Sequence, residues 1–220
     1  MSAPRQWFDK DLDELNQEIL KMGGIIEEQI YDAVKSLTSK DLVLAEKVIH
    51  RDDRVDELQQ IIEDKSVRLV IRQQPIAKDL RTIFAGIKLV TDLERISDIA
   101  VNIARIAKRI IKEEYVKPLI DIPRMAKIAQ KIVRVALDSY VKRDVGMAES
   151  LVEMEEEIDR LYSQVFEELL VIMEEKPRTI FQAAQLIMVA RQLERIGDHS
   201  TNIGEMVVYL VTGKRIKLND

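Results

Sequence analysis

The sequence predicts an all-α fold: six helices forming two tandem antiparallel three-helix bundles related by internal duplication. Composition is the first reason. Seven glycines and five prolines among 220 residues leave little material for turns, and aromatics make up only 5%. Lys, Glu, Leu, Ile, Ala and Arg dominate instead, which is the vocabulary of long helices. The second reason is periodicity, since apolar residues recur at spacings of three and four between the prolines. The third is repetition: "LERISDIAVNIA" at 93–104 returns at 193–204 as "LERIGDHSTNIG". Self-similarity at a fixed offset marks a repeated structural unit.

The prolines at 75, 118, 123 and 177 divide the chain, and helices are expected to run up to each break. The first helix spans 9–39. Asp41 caps a second that continues to about residue 72, because a side-chain oxygen before an apolar-periodic run satisfies a free backbone N–H. Pro75 opens a third, to about residue 114. After "VKPLIDIP" the pattern restarts over 123–142, then about 145–174, then about 178–212.

These fall into two sets of three that match residue by residue, which helical period alone does not produce. At an offset of 103, Ser36 pairs with Ser139, Asp41 with Asp144, Ala45 with Ala148, Glu46 with Glu149, Asp56 with Asp159 and Leu58 with Leu161. In the third helix of each half the offset is 100, and seven of the thirteen positions from 92–104 are identical. Residues 1–115 and 116–220 are therefore expected to form one bundle each, three amphipathic helices being enough to bury their apolar stripes against one another. Gly86, Gly197 and Gly204 sit inside strong helices, where glycine is costly, and are read as points of close helix approach.

The repeated stripe is polar. At 3.6 residues per turn, Glu94, Asp98 and Asn102 form one strip, with Leu93, Ile96, Ala100, Ile103 and Ala107 roughly opposite and towards the core. Glu194, Asp198 and Asn202 repeat it over Leu193, Ile196 and Ile203. The acids are thus expected to face outward. Carboxylates four apart repel by a few tenths of a kcal/mol, so helix stability does not ask for the pair. One such pair is common by chance in a chain with 39 acidic residues, and a solvated face with Arg95, Arg105 or Arg195 as partners accounts for it. The repetition, and a second acidic pair in each half (Asp52 with Asp56, Glu155 with Asp159), point further. Hard divalent or trivalent cations take such oxygens, and two neighbouring helices can bring two pairs to one ion or a small cluster, with Asn102 and Asn202 as further candidate ligands.

Composition narrows the other classes. A formal charge of -5 argues against a nucleic-acid partner, which asks for a basic excess or stripe. The absence of cysteine removes disulfides, thiolate zinc sites and a cysteine nucleophile. The acidic start "MSAPRQWFDKDLDEL" is unlike a secretory signal, and no run of eighteen apolar residues is present to span a membrane, so a cytoplasmic protein is expected. A ferritin-like di-metal enzyme needs Glu-x-x-His motifs, which neither His50 nor His199 provides. No Ser-His-Asp set and no Gly-rich phosphate loop stand out, and no catalysis is expected. A metal-free helical adaptor remains the alternative to a metal-binding protein.

"RDDRVDEL" at 51–58, "QPIAKDLR" at 74–81, "DLERISDIAVNIA" at 92–104 and "QLERIGDHSTNIG" at 192–204 make the chain resemble the PhoU family of phosphate-uptake regulators, from about residue 10 to about residue 212. The resemblance implies duplicated three-helix bundles and a cytoplasmic, dimeric accessory to an ABC-type phosphate transporter. It also implies a signalling role between the transporter's ATPase and a sensor histidine kinase, holding the phosphate-starvation response off when phosphate is plentiful. The family's E/D-x-x-x-D motif falls on Asp52 and Asp56, Glu94 and Asp98, Glu155 and Asp159, and Glu194 and Asp198. Multinuclear iron or zinc is implied there, with manganese and magnesium as the other candidates. Glu155 stands where the first half has Asp52, a shorter carboxylate, so the two sites are not expected to be equal.

Overall fold

The computed structural model describes residues 3–73 and 75–219. Its helices are α1 (Ala3–Thr38), α2 (Leu42–Gln73), α3 (Ala77–Ile110), α4 (Asp121–Lys142), α5 (Val145–Glu149), α6 (Leu151–Glu175) and α7 (Ile180–Thr212), with a 3-10 turn at Pro177–Thr179 leading into α7. No strand occurs among the described residues.

The duplication reaches into the turns. Asp41 and Asp144 each accept from a backbone N–H three residues on, at Leu44 (2.9 Å) and Met147 (3.0 Å). Just before them, Lys40 and Arg143 both adopt the left-handed conformation, with φ of 54° and 53°. That conformation is uncommon outside glycine and ends a helix abruptly. Ser36 and Ser139 both turn their hydroxyls back onto the carbonyl three residues earlier, at 2.7 Å.

Three boundaries differ from the sequence expectation; the first helix begins at Ala3 instead of residue 9. The expected fifth helix is divided at Ser150, whose N–H donates to Gly146 O (3.0 Å) and whose hydroxyl donates to Met147 O (2.8 Å). The third helix stops at Ile110 instead of continuing to about residue 114. Tertiary bonds draw the following segment away: Tyr115 donates its hydroxyl to Leu37 O (2.5 Å), and Val116 N–H donates to Gln182 Oε1 (2.7 Å).

Within each half the three helices pack on one another, α1 with α2 and α3, and α4 with α6 and α7. Between the halves α1 packs on α4 and α3 on α7, so each of these contacts joins a helix to its own repeat counterpart. Both pairs are antiparallel. Arg81, near the start of α3, lies over the Tyr209 ring near the end of α7, and Gln182, near the start of α7, donates to Glu113 beyond the end of α3 (3.1 Å). In the other pair, Asn16 of α1 accepts from the Tyr140 hydroxyl of α4 (3.1 Å), and Gln130 donates to Glu27 O (2.9 Å). Like meeting like across an approximate two-fold is the pattern of an isologous interface.

The buried apolar residues of both halves form one continuous core, including Leu15, Ile19, Met22, Ile26 and Ile30 of α1, all with no exposed surface. The repeats are therefore packed as one body. The three glycines are close-approach points as expected. A Cβ on Gly86 would meet the Tyr140 hydroxyl at 3.1 Å, one on Gly197 the Glu155 Cγ at 3.1 Å, and one on Gly204 the Leu151 Cδ1 at 2.8 Å. Gly23 is tighter still, 2.2 Å from Leu137 Cδ1 across the α1 and α4 contact.

Candidate metal centre

The eight acids of the repeated motif gather into two groups of four. Asp52 and Asp56 come from α2, and Glu94 and Asp98 from α3, whose mutual packing turns the two pairs towards each other. Glu155 and Asp159 come from α6, and Glu194 and Asp198 from α7. The outward orientation expected from a single helix is corrected here. Glu155 is only 9% exposed and Glu194 only 7%, while Asp52, Glu94, Asp98, Asp159 and Asp198 are half-buried and Asp56 alone is exposed. The neighbouring helix covers the face that a helix wheel assigns to water.

Covering like charges has an electrostatic consequence. Burial pushes the Glu194 carboxyl up to about 7, with Asp198, Asp159 and Glu155 adding to it and Arg191 opposing. Glu155 is likewise pushed up to about 7 by burial, with Asp159, Asp198 and Glu156 adding to it. Burial raises Asp159 too, and Asp198 contributes in the same direction. In the first group burial raises Asp52 and Glu94, against the Ser97 hydrogen bond on the former and the Arg95 charge on the latter. Desolvation and like charge both disfavour the ionised form, and a bound cation reverses both effects.

The two groups are furnished differently. Ser97, fully buried, places its hydroxyl 2.7 Å from Asp52 Oδ1 and 2.8 Å from Gln29 Oε1. Arg95 lies 3.5 Å from Glu94 and 3.4 Å from Asp98. In the second group Gly197 replaces Ser97, and Arg191 pairs with Glu194, whereas Arg195 turns to Gln192 (3.3 Å). Asp159 Oδ1 and Glu194 Oε2 are left buried without a hydrogen-bond partner, and so is Oδ1 of Asn219, whose amide donates to Glu155. Buried oxygens are ordinarily satisfied, so the unpartnered ones of Asp159 and Glu194, whose charges repel each other, and of Asn219, which donates to Glu155, call for a ligand or water.

Asn102 and Asn202 are not tied to the carboxylates by a hydrogen bond: Asn102 accepts from Arg105 (3.5 Å), and Asn202 donates to Asp92 (3.4 Å). His199 bonds the same Asp92 oxygen at 2.9 Å, across the α3 and α7 contact. Sequence reasoning missed Gln29, Ser97, Asp92, Arg191 and Asn219. Only Ser97 had a signal, its position inside the repeated motif.

Oxygen-only donor sets of this kind suit hard cations. Among the described residues no three His, Asp or Glu side chains already converge on a single point with metal-binding geometry. The fit therefore lies in donor chemistry and in the unpartnered oxygens, and side-chain rotation is needed to focus either group. A fold of two fused three-helix bundles, each carrying four carboxylates between its second and third helices, defines a duplicated helical protein with paired acidic centres.

The PhoU domain description matches residues 9–107 and 122–207, one match per repeat. The phosphate-specific transport system accessory protein PhoU homolog of Clostridium acetobutylicum is 42% identical over 98% of this chain and 99% of its own length. The Pseudomonas aeruginosa homolog of the same description is 38% identical over 96% of this chain and 88% of its own. The crystal structure of PhoU from Pseudomonas aeruginosa superposes with a TM-score of 0.89 at 38% identity, covering 94% of this chain and all of that one, 100%. The phosphate transport system regulatory protein PhoU from Streptococcus pneumoniae also gives 0.89, at 28% identity over 96% of this chain and 99% of that one. The chain belongs to the PhoU family.

Proposed function

We propose that this protein is a cytoplasmic regulatory accessory of a phosphate-specific uptake system. It would act as a homodimer between the ABC transporter's ATPase and the sensor histidine kinase, and hold the phosphate-starvation response off when phosphate is plentiful. The observation that supports the reading is the near full-length match to accessory proteins of phosphate transport, with both repeats included. No helix among the described residues is long and apolar enough to cross a membrane, consistent with a partner that docks onto a membrane system.

The paired acidic centres would take divalent or trivalent cations, with iron or zinc as the leading candidates and manganese or magnesium the others. Asp52, Asp56, Glu94 and Asp98 would hold one centre, and Glu155, Asp159, Glu194 and Asp198 the other. A bound cation supplies the positive charge that these carboxylates lack. The residues supply oxygens from two helices each, so loading would clamp α2 to α3 and α6 to α7. Support comes from the unpartnered buried oxygens of Asp159 and Glu194. The second reading, a metal-free helical adaptor, is favoured by the lack of a pre-focused triad.

Two experiments test these readings. Deleting the gene should switch on starvation promoters in phosphate-rich medium, and normal repression in a strain without a second copy would reject the regulatory role. Elemental analysis of the purified protein should find stoichiometric iron, zinc or manganese; its absence after reloading would leave the adaptor.

A further inference from the structure

Beyond α7 the chain turns at Gly213, in the left-handed conformation at φ 76°, and runs back along the helix it has just left. Four contacts seat this strap. Leu218 N–H donates to Glu205 Oε1 (3.0 Å). The Leu218 side chain enters the notch at Gly204, where a Cβ would stand 3.0 Å from Leu218 Cδ1. Asn219 then donates its amide to Glu155 Oε1 (3.1 Å) and to Thr201 Oγ1 (2.9 Å).

The seat is specific to the second half. Thr201, Gly204 and Glu205 correspond at the repeat offset to Val101, Ala104 and Arg105, none of which could make the same contact. A valine accepts no hydrogen bond, an alanine fills the notch, and an arginine repels an N–H donor. These three positions, among others that differ between the two helices, make the seat a feature of the second half alone.

At its tip the Asn219 side chain presents one used and one unused end. Nδ2 holds Glu155, whose charge repels those of Asp159 and Glu194; each of these two keeps an unpartnered buried oxygen, and Asn219 Oδ1 is likewise buried without a partner. A carboxamide is a donor on one edge and an acceptor on the other, and half a turn about its last bond exchanges them. With the carboxylates bare it donates to them, and beside a cation it can offer oxygen. We infer that Asn219 is a fifth oxygen ligand of the second centre, carried by a strap that cation binding fastens. The inference rests on the cation-binding reading above. It makes the two centres unequal, since the first has no corresponding arm.

The test uses the full chain, stripped with chelator, in a Glu94→Gln/Asp98→Asn background that leaves the second centre as the site measured. Binding of Mn(II), with Zn(II) in parallel, is followed by titration calorimetry, and strap closure by trypsin cleavage at the exposed Lys214, Arg215 and Lys217. Asn219→Ala should weaken binding by at least the roughly ten- to hundredfold that loss of an outer-shell partner costs a metal site. Asn219→Asp should restore or tighten it. The metal should slow strap cleavage in the parent and leave Asn219→Ala unprotected. Thr201→Val, which removes one hydrogen bond of the seat and leaves the Asn219 side chain unaltered, should reduce both effects. Unchanged affinity in Asn219→Ala with no protection would overturn the strap inference while leaving the cation reading intact. Cleavage accelerated by metal would overturn it as well, making Asn219 a competitor. No uptake of either ion, with the first-half residues intact as well, would overturn both readings.

Discussion

Replacing Glu194 with glutamine removes one charge from the second centre while preserving shape, and the structure sets both the sign and the size of the effect. Glu194 is 7% exposed, has an unpartnered buried oxygen, and is pushed from 4.5 up to about 7 by burial and by Asp198, Asp159 and Glu155. Between pH 4.5 and 7 the folded protein therefore holds more protons than the unfolded chain. Stability falls as pH rises through that window, is complete below it and is lost above it. At about 1.4 kcal/mol for each pKa unit, the ionised side chain costs the metal-free fold about 3 kcal/mol at most at pH 8. The Arg191 pairing lost on substitution and solvent on the open side reduce the expected gain to about 1–2 kcal/mol. For a chain of this size that corresponds to a rise in Tm of about 3–6 °C. Thermal unfolding of chelator-treated wild type and Glu194→Gln from pH 4.5 to 8 provides the assay. The curves should coincide at the acid end and separate towards pH 8, with the variant the more stable. A variant less stable at pH 8, or a constant offset at every pH, would show that the ionised carboxylate is itself structural and refute the reasoning.

Three further outcomes follow from other parts of the structure. Metal added at pH 6 should release protons, because Glu155 and Glu194 at about 7 must ionise to bind; pH-stat titration with no release would contradict this. Ser97→Ala strips Asp52 and Gln29 of their shared hydroxyl inside the core and should cost about 1–3 kcal/mol, read by urea unfolding. Adjacent glycines should respond oppositely: Gly24→Ala, with nothing within 4 Å of the new Cβ, should stabilise by about 0.5–1 kcal/mol. Gly23→Ala drives into Leu137 at 2.2 Å and should destabilise by about 1–3 kcal/mol, so equal effects at the two positions would deny the tight α1 and α4 contact.

The helices were legible because local rules and the repeat agreed: Asp41 and Asp144 cap where a cap was expected, and the stripes of α1 and α4 reach the core. The end of α3 was not, because what stops it lies far away in sequence, at Leu37 and Gln182. The identities of the eight carboxylates could be read from their doubling, but their surroundings could not. A helix wheel treats one helix against one core, whereas α3 packs on α1, α2 and α7 at once, so even Ile99 and Val101 are buried and the acidic strip is roofed by α2. Asn219 has neither periodicity nor a repeat counterpart, and only the path of the chain after Gly213 brings it to Glu155.

The like-with-like contacts of α1 with α4 and α3 with α7 have a consequence for how such a molecule can change. In a true two-fold dimer every substitution appears twice, so neither centre can be altered without altering the other. Joining the two copies by the segment at 111–120 lifts that constraint. One copy can keep the buried Ser97 where the other has Gly197, and Asp52 in one can correspond to the longer Glu155 in the other. A single polypeptide can thus hold two acidic centres of different character, one in which burial and like charge push Glu155 and Glu194 up to about 7 and one in which Ser97 donates its hydroxyl to Asp52.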